Sequence, residues 1–221
     1  MKKAVVLLSG GLDSTTCMAI AKREGYEIYP ISFEYGQRHN RELECAKEVA
    51  KCFNVKEHKI IRMDNVGGSA LTDKNIDVPE YKGDGEIPVT YVPARNILFL
   101  SYALGWAEVI EAQAIFIGVS AVDYSGYPDC RPEFIKAFQN VVDEGTAAGG
   151  KGKAIEIKAP LIYLTKGETV KLGTELGAPY ELTTSCYNGG EEACGLCDSC
   201  VLRLKGFEDA GTEDKIKYKK K

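Results

Sequence analysis

A chain of 221 residues with 44% hydrophobic content is long enough to bury one α/β core with a modest appendage. A net charge of −4 excludes a generally basic nucleic-acid-binding surface, and no apolar run reaches the ~18 residues of a membrane span. No export signal is readable, because the first apolar run is short and Gly10-Gly11 breaks it; a cytoplasmic protein is expected. In that reducing compartment the eight cysteines read as metal ligands or buried thiols rather than disulfides.

Ala4-Val5-Val6-Leu7-Leu8 reads as a short buried strand and residues 15–24 as a helix stopped by Gly25. Between them lies the turn Ser9-Gly10-Gly11-Leu12-Asp13-Ser14, flanked by Leu8 and Thr15. A glycine-rich turn from a strand into a helix aims unpaired N–H groups and the positive end of the helix dipole at one point, where a phosphate or pyrophosphate fits. Gly10 and Gly11 let the backbone approach an anion, and Ser9 and Ser14 add hydroxyl donors. Asp13 either caps the helix or holds Mg²⁺ against phosphates. The turn lacks the lysine of a G-x-x-x-x-G-K-[ST] loop. It suits pyrophosphate as a leaving group, which points to attack at the α-phosphorus of ATP.

Residues 26–33 read as a second strand, Tyr35-Gly36-Gln37-Arg38-His39 as a loop, 41–54 as a helix capped by Asn40, and 55–63 as a third strand. Such a βαβαβ run predicts a parallel sheet with helices on both faces and ligands beyond the strands' carboxyl ends. Cys45 and Cys52 read as core thiols and His58 as structural, while His39 on the binding side is open to either a functional or a surface role. Residues 64–93 lack periodicity and read as a long irregular segment that covers a ligand.

Val92-Pro93-Ala94-Arg95-Asn96 opens a helix over 97–112 that is apolar nearly all round; it is expected to be buried on two sides, one of which can be a dimer contact. Arg95 at its start is a second candidate anion contact. A fourth strand over 114–119 leads into Asp123-Tyr124-Ser125-Gly126-Tyr127-Pro128-Asp129-Cys130-Arg131. Aspartate there can accept a guanine-type N–H edge, tyrosine can stack on a flat heterocycle and arginine can fork onto a carboxylate. A helix over 132–143, a flexible link over 145–153 and a fifth strand over 154–159 follow. Thr165 and Glu168 have capping-box spacing for a helix to 176, with Lys166 in its first turn either holding a phosphate or pointing into solvent.

Cys186, Cys194, Cys197 and Cys200 form a C-x₂-C-x₂-C run with a fourth cysteine upstream. Four thiolates close a tetrahedral Zn²⁺ shell, a structural site that would staple 181–192 to a last helix over 198–209. An iron–sulfur cluster is the rival, but an adenylation needs no electrons. The basic end, Lys217-Tyr218-Lys219-Lys220-Lys221, reads as a solvated, frayed terminus.

The turn at 9–14 resembles the PP-loop of the N-type ATP pyrophosphatases. Together with Tyr35 to His39, Val92 to Asn96, Asp123 to Arg131, Thr165-Lys166-Gly167-Glu168 and the four cysteines, it resembles the 7-cyano-7-deazaguanine synthase family of queuosine-precursor synthesis over nearly the whole chain. That resemblance implies a Rossmann-like (adenine nucleotide alpha hydrolase-like) five-stranded parallel sheet with helices on both faces, over residues 1–178. A small zinc-binding helical segment, 179–221, packs on the same domain. It implies conversion of 7-carboxy-7-deazaguanine and ammonia to the nitrile through adenylated acid and amide, with ATP, Mg²⁺ and one structural Zn²⁺ per homodimer subunit. It also implies ATP contacts from Leu8 through Thr15 and Arg38, and catalytic roles for Asp13, Arg95 and Lys166. Asp123 or Asp129 would take the guanine edge, Tyr124 or Tyr127 the stacking and Arg131 a carboxylate or phosphate, with Ser125 beside them. Two other readings are another PP-loop enzyme that thiolates or amidates tRNA, with Cys130 as the tempting thiol, and a zinc-stapled nucleotide-binding regulator without turnover.

Overall fold

The computed structural model describes residues 1–37, 39–64, 67–73, 75–77, 87–122 and 126–219; Arg38, Asp123, Tyr124 and Ser125 of the candidate contacts lie outside the described residues, as does much of 64–93. Among the described residues the strands β1 (Lys2–Leu7), β2 (Tyr26–Glu34), β3 (Lys59–Arg62), β4 (Ala114–Phe116) and β5 (Glu156–Lys158) form one parallel sheet in the order β3-β2-β1-β4-β5. The helices are α1 (Leu12–Arg23), α2 (Arg41–Cys52), α3 (Arg95–Val109), α4 (Pro132–Gly145), α5 (Lys166–Glu175) and α6 (Asp198–Asp209).

Residues of β1 alternate between two cores, which is why the strand reads as a continuous apolar run. Val5 and Leu7 pack with Leu100, Leu104 and Trp106 of α3 and Phe138 and Val142 of α4. Ala4, Val6 and Leu8 pack with Cys17, Met18 and Ile20 of α1 and Ala46 and Val49 of α2. The chain leaves β1 toward β2 on one side and returns through β4 on the other, so the strand order reverses between β1 and β4. Ligands of open α/β sheets bind outside that reversal.

Several boundaries differ from the sequence reading. β3 begins only at Lys59, paired with Ile31, directly after Pro30, which has no N–H to give a ladder. His58 therefore precedes the strand; its ring bonds the Ser32 hydroxyl at 2.7 Å, and burial, then Lys47, hold it neutral by pulling its pKa down to about 4. Cys45 is buried as expected, but Cys52 on the last turn of α2 is exposed. The link over 145–153 contains a 3₁₀ turn, Gly149–Lys151. α3 buries Leu100, Ala103, Leu104, Trp106 and Ala107 but leaves Ile97, Tyr102 and Val109 exposed, so within one chain its second side is open. The C-terminal tail is tied down rather than frayed as far as Lys219: Ala193 N–H donates to the Lys217 carbonyl at 2.8 Å and Lys219 N–H to the Ala193 carbonyl at 2.9 Å.

Candidate functional site

A cavity of about 270 Å³ opens beyond the carboxyl ends of β1, β2 and β4. Leu8, Ser9, Gly11, Leu12, Asp13 and Ser14 line it, so the turn read from the sequence forms its floor; Gly10 and Thr15 stand behind that wall. The turn is held by its own hydroxyls. The Ser9 N–H donates to Ser14 Oγ at 3.2 Å, the Ser14 hydroxyl donates to the Gly11 carbonyl at 3.1 Å, and the Gly11 N–H donates to Ser9 Oγ at 3.2 Å. α1 starts at Leu12, which leaves the amides of Leu12, Asp13 and Ser14 without helical acceptors.

Two glycines are required here by crowding. Gly10 has φ +86°, and a Cβ on it would run into the Glu42 carbonyl and the Ala46 amide of α2. Its bare backbone thus docks the turn on α2, a different reason from the anion approach expected for it. Gly118, just past β4, would meet the Asp13 carbonyl carbon at 2.9 Å and Ser14 N at 3.0 Å.

Asp13 is not the helix cap. Gly11 holds the N-cap position without a side-chain bond, and the Asp13 carboxylate accepts both 2.7 Å and 2.9 Å bonds from Lys166 Nζ. Lys166, which points into the cavity, starts α5 behind the capping box of Thr165 and Glu168. Its stem lies over Gly206 of α6, where any side chain would collide with it. Arg95, at the start of α3 after Ala94 in the left-handed region (φ 55°), lines the cavity and hydrogen-bonds the Tyr35 hydroxyl.

The stretch from Tyr127 to Arg131 divides. Tyr127 lines the cavity with its hydroxyl 2.7 Å from that of Thr90. Asp129 is buried away from the lining: its carboxylate accepts the Asn96 N–H at 3.1 Å, and Asn96 Nδ2 donates to its carbonyl at 3.0 Å. That pairing satisfies an orphan amide at the start of α3 and fixes the helix that carries Arg95. Arg131 occupies the N-cap position of α4, exposed and outside the lining. Cys130 lines the cavity, yet burial, then Asp129, push its thiol up to about 12, so it is no thiolate at neutral pH.

Sequence reasoning missed Glu42, Thr184, Ser185, Tyr187 and Arg203, all of which line the same cavity. Thr184 N–H donates to the Gly10 carbonyl at 3.0 Å, so the C-terminal segment touches the turn directly. Arg203 is buried; it donates to both Asp214 oxygens at 2.7 Å and 3.0 Å, to the Thr183 hydroxyl at 2.8 Å and to the Tyr180 carbonyl at 3.2 Å. His39, left open by the sequence, packs its ring against Gly189, a contact that tolerates no Cβ.

The four cysteine sulfurs lie within 4.8 Å of one another. Backbone N–H groups point at them, from Cys194 to Cys186 Sγ at 3.3 Å and from Leu196 and Cys197 to Cys194 Sγ at 3.4 Å each. Bonds from Cys197 and then Cys200 pull the Cys186 thiol far below its ordinary range. Four converging sulfurs with amide donors are the donor set of a tetrahedral thiophilic ion such as Zn²⁺.

A model of the family described as "Queuosine biosynthesis protein QueC" matches residues 3–211. The 7-cyano-7-deazaguanine synthase of Desulfitobacterium hafniense is 71% identical over 218 residues, 99% of this chain and 94% of that one. The 7-cyano-7-deazaguanine synthase of Acetivibrio thermocellus is 67% identical, covering 99% of this chain and 98% of that one. Among solved structures, the NMN synthetase of Francisella tularensis matches 96% of this chain and 78% of its own with a TM-score of 0.52 at 16% identity, a likeness of fold alone. With a family model spanning the cavity, the turn and the cysteine cluster, and relatives this similar end to end, the chain belongs to the queuosine biosynthesis protein QueC family.

Proposed function

We propose that this chain is an ATP-dependent 7-cyano-7-deazaguanine synthase, forming the nitrile from 7-carboxy-7-deazaguanine and ammonia by way of adenylated acid and amide. The observation that carries the reading is a lysine-free anion turn at the floor of the cavity, in a chain 71% identical to a named synthase. In this reading the amides of Leu12, Asp13 and Ser14 and the Ser9 and Ser14 hydroxyls grip the departing pyrophosphate, and Lys166 turns from Asp13 to the phosphates. Catalysis is then mostly positioning and charge neutralisation. A carboxylate oxygen of the acid attacks the α-phosphorus; ammonia then displaces AMP to leave the amide. A second ATP activates the amide oxygen, whose departure with AMP leaves the nitrile.

Arg95 faces the acid's carboxylate or its adenylate and Tyr127 walls the heterocycle. Asp129 acts through Asn96 and α3 as a positioning residue. The guanine edge falls to Asp123 rather than Asp129, with Tyr124 for stacking. Mg²⁺ would arrive with the nucleotide and find Asp13 once Lys166 releases it. Cys186, Cys194, Cys197 and Cys200 would hold Zn²⁺, which supplies a structural staple for residues 179–221 on the ATP-binding domain, 1–178. The exposed Ile97, Tyr102 and Val109 of α3 support a homodimer; a cytoplasmic location and small-molecule substrates rather than nucleic acid belong to the same proposal. A tRNA-thiolating reading is disfavoured by the buried, protonated Cys130.

Incubation with ATP, ammonium and 7-carboxy-7-deazaguanine, followed by mass spectrometry, is expected to give 7-cyano-7-deazaguanine and AMP. ATP binding with no AMP release would instead identify a nucleotide-binding regulator.

A further inference from the structure

Two carboxylates line the cavity among the described residues, Asp13 and Glu42. Asp13 is neutralised by Lys166. Glu42 projects from the first turn of α2, and among the described residues no side-chain or backbone donor is bonded to its oxygens. Its pKa is raised by burial, while His39 and Arg95 pull it the other way. Among the described residues its oxygens are thus left to the cavity. Among the described residues, the charged and titratable groups that act on it or share its cavity are His39 on the preceding loop, Arg95, Tyr35, Cys45 on the same helix, Asp13 with Lys166, and Arg203 on α6.

Its position marks the reacting end of the site. Glu42 lines the same cavity as Ser9, Gly11, Asp13 and Ser14 of the turn, so Glu42 and the phosphate-binding floor face one space. The guanine edge of a flat 7-substituted deazaguanine lies on the far side of the bicycle from its 7-carboxyl group. A carboxylate facing the space above that floor is therefore placed for a small cation arriving at the activated carbonyl rather than for the heterocycle.

We propose that Glu42 binds ammonium and accepts its proton, delivering ammonia to the adenylate. This rests on the reading that ammonia is the nitrogen donor. At neutral pH ammonia is almost wholly ammonium, which has no free electron pair. One N–H proton passes to a Glu42 oxygen, and the freed pair forms the C–N bond at the acyl carbon. The C–O bond to AMP breaks, its electron pair leaving on the phosphate oxygen, and the surplus N–H proton leaves with AMP. A carboxyl group raised by burial is better matched to that transfer than an exposed one.

The test compares two nucleophiles. Hydroxylamine is largely neutral at the same pH and needs no proton acceptor to attack. Glu42→Gln is expected to lower kcat/KM for ammonium about a hundredfold. It should raise the ammonium KM and keep both acid-dependent ATP–pyrophosphate exchange and hydroxamate formation from hydroxylamine. Glu42→Asp should recover part of the ammonium rate. An equal loss with both nucleophiles, or loss of the exchange, would overturn the inference and place Glu42 on the acid or in the fold. Absence of acid-dependent exchange in the unaltered enzyme would instead overturn the function on which it rests.

Discussion

Asp13→Ala is expected to lower turnover of ATP and acid by at least about a hundredfold, the scale of losing one group that organises transition-state charge. Asp13 holds Lys166 through two bonds of 2.7 Å and 2.9 Å at the cavity floor. On the proposed reading, the Lys166 ammonium group would then have no fixed position from which to meet the phosphates, and a metal ion arriving with the nucleotide would lose a ligand. The Asp13 side chain is 34% exposed, so the pair contributes little to stability and the variant should melt near the parent. Lys166→Met should cost a similar factor, and the double variant little more than either alone, because the two act as a unit. Steady-state AMP release checks all three, and an unchanged rate for Asp13→Ala would remove the pair from the mechanism.

Arg203→Met should be the most destabilising of the substitutions considered. Both partners of the pair with Asp214 are buried, with side-chain exposures of 2% and 3%. Truncating one leaves the other as an uncompensated buried charge, at a cost of about 3–5 kcal/mol. In a chain of this length the melting temperature should fall by on the order of 10 °C. The Thr183 hydroxyl loses its Arg203 donor as well, and the Tyr180 carbonyl keeps only its donors from Thr183. Because Thr184 is bonded to Gly10, the disturbance reaches the turn at 9–14, and the KM for ATP should rise in whatever protein remains folded. Arg203→Met with Asp214→Leu should recover part of the stability. Thermal melts of the three proteins decide the matter; a single variant that melts like the parent would show the pair to be dispensable.

The sheet was legible because its strands are apolar runs between glycine- and proline-rich turns, and the strand-to-helix turn at 9–14 because its glycines break the apolar run before α1. The capping box at Thr165 and the cysteine spacing were legible for the same reason: each is a local pattern with a local cause. The misses share the opposite character. Lys166 meets Asp13 across 153 residues of sequence, and Arg203 meets Thr183 across 20. Nothing local told Glu42, a polar residue in the first turn of an amphipathic helix, from a solvated one; only the assembled cavity includes it in its lining. Asp129 shows the converse error. Its place in a polar turn after a strand suggested ligand contact, yet the nearer need was the orphan amide of Asn96. The tail failed likewise, because Ala193, the partner of Lys217 and Lys219, lies far back along the chain.

The central claim is that the acid's own oxygen attacks the α-phosphorus above the turn at 9–14. It is tested most directly with 7-carboxy-7-deazaguanine carrying ¹⁸O in its carboxylate, ATP and ammonium, with the label followed by mass spectrometry. Passage through an acyl adenylate predicts ¹⁸O in the phosphate of AMP and none in pyrophosphate. Label in inorganic phosphate beside ADP, or in neither nucleotide product, would contradict it.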